Sequence, residues 1–118
     1  MSKTSFRLTR RAAIDLRGIY GYSLERWGEA AARVYINALY ESMAGLREED
    51  PRTGQRGERA FPFSMIPSGR HFIVYEIIGD IAVVITLLHQ RRDIETVIRD
   101  FTPSFLSEIA GLRKSIKG

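Results

Sequence analysis

The sequence predicts an α+β domain: a helical hairpin packed on one face of a mainly antiparallel sheet, followed by a C-terminal helix. Three observations carry this. Apolar residues recur at helical spacing from Ala12 to Trp27 and again from Glu29 to Glu49. Two runs of about eight residues, rich in Ile, Val, Phe and Tyr, flank Gly79-Asp80, a pair suited to the positive φ of a short hairpin loop. Thr102-Pro103 then opens a last amphipathic stretch with Pro at the first helical position.

Taken in order, Ser5-Phe6-Arg7-Leu8 alternates like an edge strand, and Thr9 stands where a helix N-cap belongs. Ala12, Leu16, Ile19, Tyr20 and Trp27 share one helix face, and Gly28 ends the helix. The second helix is expected to run to Glu49 with a stripe of Ala31, Val34, Tyr35, Ala38, Leu39, Ser42 and Leu46, stopped by Pro51. Its short link to the first makes an antiparallel hairpin. Met43 and Trp27 read as core or hairpin contacts, not as ligand sites. Arg52 to Ala60 reads as a mobile basic loop, and Pro62 restricts the next run, Phe61 to Ile66, to an edge strand or to a strand beginning after it. Pro67-Ser68-Gly69 is turn chemistry. Ile94 to Phe101 carries no decisive pattern. In the tail, Phe105, Leu106, Ile109, Leu112 and Ile116 fall on one side.

A symmetric Gly79-Asp80 loop would set Ile78 opposite Ile81, Phe72 opposite Leu87 and Arg70 opposite His89. One face then collects Arg70, Phe72, Val74 and Ile78 with Ile81, Val83, Ile85, Leu87 and His89. The other collects His71, Ile73, Tyr75 and Ile77 with Ala82, Val84, Thr86 and Leu88. Both faces are apolar, so both must be covered. The helical hairpin covers one, and the second needs the tail, a partner or a second copy.

Composition narrows the function. A chain of 118 residues is one domain and needs no disulfide or metal to fold. It contains no Cys, which excludes thiol catalysis and thiolate metal sites. The two His lack metal-ligand spacing, and there is no phosphate-binding Gly loop or Ser nucleophile elbow. No cofactor is implied. No apolar run approaches the ~20 residues of a membrane span, and MSKTSFRLTRR has no signal core, so the expected location is the cytoplasm. The net charge of +4 comes from fifteen Arg against three Lys. Arg suits carboxylate and phosphate forks, and its uneven placement suggests basic surfaces meeting an acidic or phosphate-bearing partner. Arg70, His89, Arg91, Arg92 and Asp93 should gather at the open end of the central hairpin. They admit two readings: acid–base work on phosphate esters, or a charged knot that closes the strand.

Several fragments, in this order, resemble a known family. They are Ala12-x-x-Asp15-Leu16-x-x-Ile19-x-x-Tyr22, Ala32-x-x-Tyr35 with Leu39, Pro51-Arg52-x-Gly54, Gly69-x-His71-x-Ile73-x-Tyr75, and Leu88-His89-x-x-Arg92-Asp93. Over roughly residues 6–95 the chain resembles the ParE-type toxins of the RelE/ParE superfamily, toxin halves of bacterial type II toxin–antitoxin pairs. The resemblance implies a β-α-α-β-β-β toxin domain over 1–98, with 99–118 a helical extension of it. It implies a non-enzymatic inhibitor of DNA gyrase, neutralised by a ParD-like antitoxin whose C-terminal segment wraps it, in a heterotetramer or larger assembly. DNA is then reached only through the antitoxin. Target-binding candidates are Gly69, His71, Tyr75, His89, Arg92 and Asp93; antitoxin-binding candidates are Arg70, Ile73, Tyr75, Val84 and Thr86. The alternatives are a RelE-like mRNA endonuclease using Arg70, His89, Arg91 and Arg92, or an inactive partner-binding scaffold. The sequence departs from the RelE pattern: Ile94-Glu95-Thr96-Val97 after Asp93 lacks a Tyr, and the central strands lack Lys.

Overall fold

The computed structural model describes residues 5–47, 59–60 and 63–117. In chain order these form β1 (Ser5–Leu8), α1 (Arg10–Trp27), α2 (Glu29–Ala44), β2 (Arg59–Ala60), β3 (Phe63–Ser68), β4 (His71–Ile78), β5 (Ile81–His89), α3 (Ile94–Arg99) and α4 (Pro103–Lys117). The sheet order is β1-β5-β4-β3-β2. All pairings are antiparallel except β1 with β5, which is parallel because the whole helical hairpin lies between β1 and the later strands.

Thr9 joins β1 to α1. Its hydroxyl accepts from Ala12 N at 3.0 Å as the helix N-cap and donates to Ile85 O at 2.7 Å, while its own N–H reaches Val84 O at 3.1 Å. Thr9 is fully buried, so the cap also fastens the helix to β5. Gly28, at φ 87°, ends α1 and opens α2, as the sequence predicts for the end of the first helix.

The second helix departs from expectation twice. It ends at Ala44 with Gly45 as its C-cap, because Gly favours leaving the helix over continuing it. Leu46 nevertheless folds back and is fully buried. The buried stripe is Ala32, Leu39 and Met43, with Tyr35 and Ile36 partly buried, so Ala31, Val34 and Ala38 face outward. Turning the helix by about one residue exchanges small Ala side chains for the larger Ile36 and Met43 in the core, which removes more apolar area from water. Most of the expected basic loop, with Glu48 to Gly54, lies outside the described residues; Arg59–Ala60 form a two-residue strand.

The strand after Pro62 begins at Phe63 and continues through Pro67 and Ser68, leaving Gly69-Arg70 as the turn. Alternation from the Ser68–His71 pair turns Pro67's nitrogen away from β4, onto an edge that β2 does not reach, so no ladder bond is lost. Gly69 and Gly79 have φ of 58° and 60°, and among the described residues no residue type other than Gly has positive φ. Both loops therefore place the positive φ at their first residue, the pattern of a type II′ turn.

The symmetric register holds from Ile78–Ile81 to Tyr75–Val84 and then shifts. Nine residues of β5 face eight of β4, and Ile85 is the extra one. Beyond this bulge Phe72 pairs with Leu88 and His71 with His89, not Phe72 with Leu87 or Arg70 with His89. Leu87 and Leu88 consequently exchange faces. Leu87 packs under α1 and α2 with Ile73, Tyr75 and Val84; Leu88 packs with Val74, Ile78, Val83 and Ile85 on the other side.

That second face is covered by the chain's own tail. Val97 of α3, Phe101, and Phe105 and Ile109 of α4 close it, with Ile98, Leu112 and Ile116 around them. Arg113 anchors α4 through two hydrogen bonds to Glu76 of β4, at 2.6 and 2.8 Å, and Glu108 accepts from Arg10 N at 2.9 Å. Leu106, expected on the packed side, is half exposed.

Candidate target-binding surface

The open end of the β4–β5 hairpin is built on one tyrosine. Tyr35 of α2 lies so close over Gly69 that a Cβ there would stand 2.7 Å from its ring. The Tyr35 hydroxyl accepts from Arg70 N at 2.8 Å and shares a hydrogen bond of 2.6 Å with His71 Nδ1. Burial, and then the neighbouring His89, lower the His71 pKa from 6.5 to about 4, so the ring is neutral at neutral pH and its Nδ1 is able to accept from the hydroxyl. The His71 and His89 rings stand edge to face, with centroids 5.4 Å apart. Gln90 donates from its side chain to the carbonyls of Gly69 and His71, at 3.2 Å each. Arg91 N donates to His89 Nδ1 at 3.1 Å. Asp93 caps α3: its carboxylate accepts from the Thr96 hydroxyl and from Glu95 N, and the Thr96 bond chiefly holds its pKa below the usual range. The polar residues expected to gather here do gather, and most of their hydrogen bonds close the strands and start α3.

Beside this knot runs the outer face of α1. The Asp15 carboxylate accepts from the Thr86 hydroxyl at 2.5 Å and from Leu87 N at 3.0 Å, which ties α1 to β5 beyond the end of β1. Arg11 donates from Nε to Thr86 Oγ1 at 3.2 Å, and its guanidinium lies 5.0 Å from the centre of the Phe101 ring. A cleft of about 490 Å³ lies over these bonds, with Ile14, Tyr22, His71, His89 and Arg92 on its walls. Past its rim, Tyr22 and Trp27 meet edge to face at 6.0 Å and are 57% and 44% exposed. The Arg70 guanidinium sits 5.2 Å from the Trp27 ring centre, and that of Arg26 5.8 Å from Tyr22. Trp27 is thus no core residue: it belongs to an exposed aromatic–arginine edge joining α1 to the β3–β4 turn.

A second concavity, of about 350 Å³, opens between the two long helices over β1. Leu8, Ala13, Leu16, Tyr20, Ile36 and Tyr40 make it apolar, and Arg17 stands at its border.

Residues 6–94 match the family model described as the ParE toxin of the parDE type II toxin–antitoxin system. The chain belongs to the ParE toxin family. It is 33% identical over 99 residues to Toxin ParE of Escherichia coli, spanning 82% of this chain and 95% of that protein. To Toxin ParE1 of Caulobacter vibrioides it is 35% identical over 86 residues, 72% of this chain and 88% of the relative. A solved chain from the chromosomal ParDE system of P. aeruginosa shares the fold, with a TM-score of 0.60, 17% identity, and 74% of this chain and 96% of that one covered. The family match ends where α3 begins, so α4, which closes the second sheet face, lies beyond it.

In this ParE toxin, Gly69, His71, His89, Arg92 and Asp93 cluster at the hairpin end as the motif implies. Tyr75 does not: it is fully buried under the helices, donating to Arg47 O at 2.7 Å. Ile73, Val84 and Thr86 are equally enclosed, and among the expected antitoxin contacts Arg70 alone is exposed. The expectation left open which face the helical hairpin covers; α1 and α2 cover the one that holds Ile73, Tyr75 and Val84. Sequence reasoning assigned no site role to Tyr22 and Trp27. Periodicity hides Tyr22, which lies off the apolar stripe, and it misplaces Trp27, which falls on the stripe but beyond the sheet.

Proposed function

We propose that this toxin inhibits DNA gyrase by binding it, without catalysis, and is held inactive by a ParD-like antitoxin whose amphipathic segment wraps it. One observation carries the reading. The polar residues of the family motif are bonded into the hairpin end, while the adjoining edge exposes Trp, Tyr and Arg, the residue types that dominate binding hot spots. The apolar groove with Arg17 at its border suits an acidic amphipathic helix. The toxin added to purified gyrase and plasmid should block supercoiling and leave cleaved DNA, and equimolar antitoxin should restore supercoiling. Supercoiling unaffected by excess folded toxin sinks the reading. A second reading, mRNA cleavage on the ribosome, draws on the cleft where His71, His89, Arg11 and Arg92 face one space. Message cleavage in translating ribosomes, lost on Arg91→Ala or Arg92→Ala, would establish that one instead.

A further inference from the structure

The edge around Trp27 joins exposed aromatic rings to arginines, a combination that can serve nucleic acid as well as protein. Its rings are exposed and set nearly perpendicular, so each leaves area open on which a planar group can stack. Its cations are arginines poised beside those rings: Arg70 over Trp27, Arg26 over Tyr22, and Arg92 on the wall of the cleft that Tyr22 also lines. Arg91 follows from the same turn and is exposed. The carboxylate in the cleft, Asp15, is already bonded to Thr86 and Leu87 N, so it opposes an incoming anion less than a free one would. Aromatic faces interleaved with forked cations are what a single strand of nucleic acid uses, its bases stacking and its phosphates pairing. The groove on the other side of α1 has the opposite character, apolar and suited to a helix.

We propose that the edge of Tyr22, Trp27, Arg26, Arg70, Arg91 and Arg92 binds single-stranded DNA directly. Contact with DNA then does not pass solely through an antitoxin. A base stacks on Trp27 or Tyr22, taking the place of the guanidinium now resting there, and the freed arginine turns to the adjacent phosphate. The choice of DNA over RNA rests on the gyrase reading; the binding itself does not need gyrase.

Trp27 is the chain's single Trp, so its fluorescence reports the site alone. Titrating the full-length toxin with an oligothymidylate of about eight nucleotides should quench that fluorescence saturably, with affinity falling steeply as salt rises. By anisotropy of a labelled oligonucleotide, Arg70→Ala and Tyr22→Ala should each weaken binding roughly tenfold. Val34→Ala, at an exposed position on α2, should leave it unchanged. The absence of saturable quenching overturns the proposal. So does equal binding of a poly-glutamate peptide of the same charge, which would mark an acidic-peptide site, or tighter binding of the matching RNA. Gyrase inhibition without oligonucleotide binding defeats this proposal alone, whereas oligonucleotide binding without gyrase inhibition defeats the functional reading alone.

Discussion

At the level of single residues, two glycines with nearly the same positive φ have different surroundings. Gly69 and Gly79 both have φ near 60°, but nothing lies near the missing Cβ of Gly79, whereas Tyr35 lies 2.7 Å from that of Gly69. Gly79→Ala should therefore cost only the left-handed strain, about 1–2 kcal/mol. Gly69→Ala should cost about 2 kcal/mol more, because the ring must move and its bonds to Arg70 N and His71 stretch. Urea unfolding of both variants tests this; equal losses would mean that Tyr35 yields freely. His71 adds a pH dependence. Its folded pKa, near 4, lies below the unfolded value of 6.5, so between those values the unfolded chain takes up a proton that the folded chain refuses. Stability should thus be constant above pH 6.5 and fall as the pH drops toward 4. The full shift would amount to about 3 kcal/mol, and partial exposure of the ring reduces this to about 1–2 kcal/mol. His71→Asn keeps an acceptor near the Nδ1 position and should flatten that part of the urea midpoint against pH. The motif Gly69-x-His71 was legible in the sequence. Its physical reason, a tyrosine from a distant helix seated over the glycine, was not, since no local pattern encodes that contact.

The secondary-structure elements show where local signals suffice and where packing overrides them. Caps and stops were readable because Thr9, Gly28, Thr102 and Pro103 act on their immediate neighbours; the Thr102 hydroxyl accepts from Phe105 N at 3.2 Å. The bulge at Ile85 was not readable, because an extra residue in a uniformly apolar strand leaves no mark in composition. It sits where Thr9, at the junction of β1 and α1, bonds to the successive carbonyls of Val84 and Ile85. The rotation of α2 likewise reflects which side chains the sheet accommodates. In α4 two neighbouring apolar types have unequal roles. Ile109 is 2% exposed and packed on the sheet, whereas Leu106 is 50% exposed. Ile109→Ala should cost about 2–5 kcal/mol and Leu106→Ala about 0.5 kcal/mol or less. Thermal or urea melts decide it. Similar small losses would show that α4 rests loosely on the sheet.

Across the whole molecule, the two apolar faces of the sheet are satisfied internally, one by the helical hairpin and one by the tail. The sequence did foreshadow the need for two covers, and the tail was among those weighed. With the sheet closed, the described residues offer two rims for interaction. These are an apolar groove with Arg17 on one side of the helical hairpin, and an aromatic–arginine edge with Trp27 on the other. Under the proposed function the two rims have different partners, so they should separate genetically. Arg17 is exposed, so Arg17→Glu should leave the fold and the gyrase effect intact. It should slow capture by an acidic antitoxin about tenfold, since reversing a rim charge acts mainly on the association rate. Trp27→Ala should keep antitoxin affinity and lose about 2 kcal/mol or more of target binding, roughly thirtyfold, if Trp27 is the anchor its exposure and its Arg70 partner suggest. Kinetic binding to immobilised antitoxin, run beside gyrase inhibition titrations, gives both numbers for each variant. If either substitution impairs both activities equally in a folded protein, antitoxin and target share one surface, and the division of the rims is wrong.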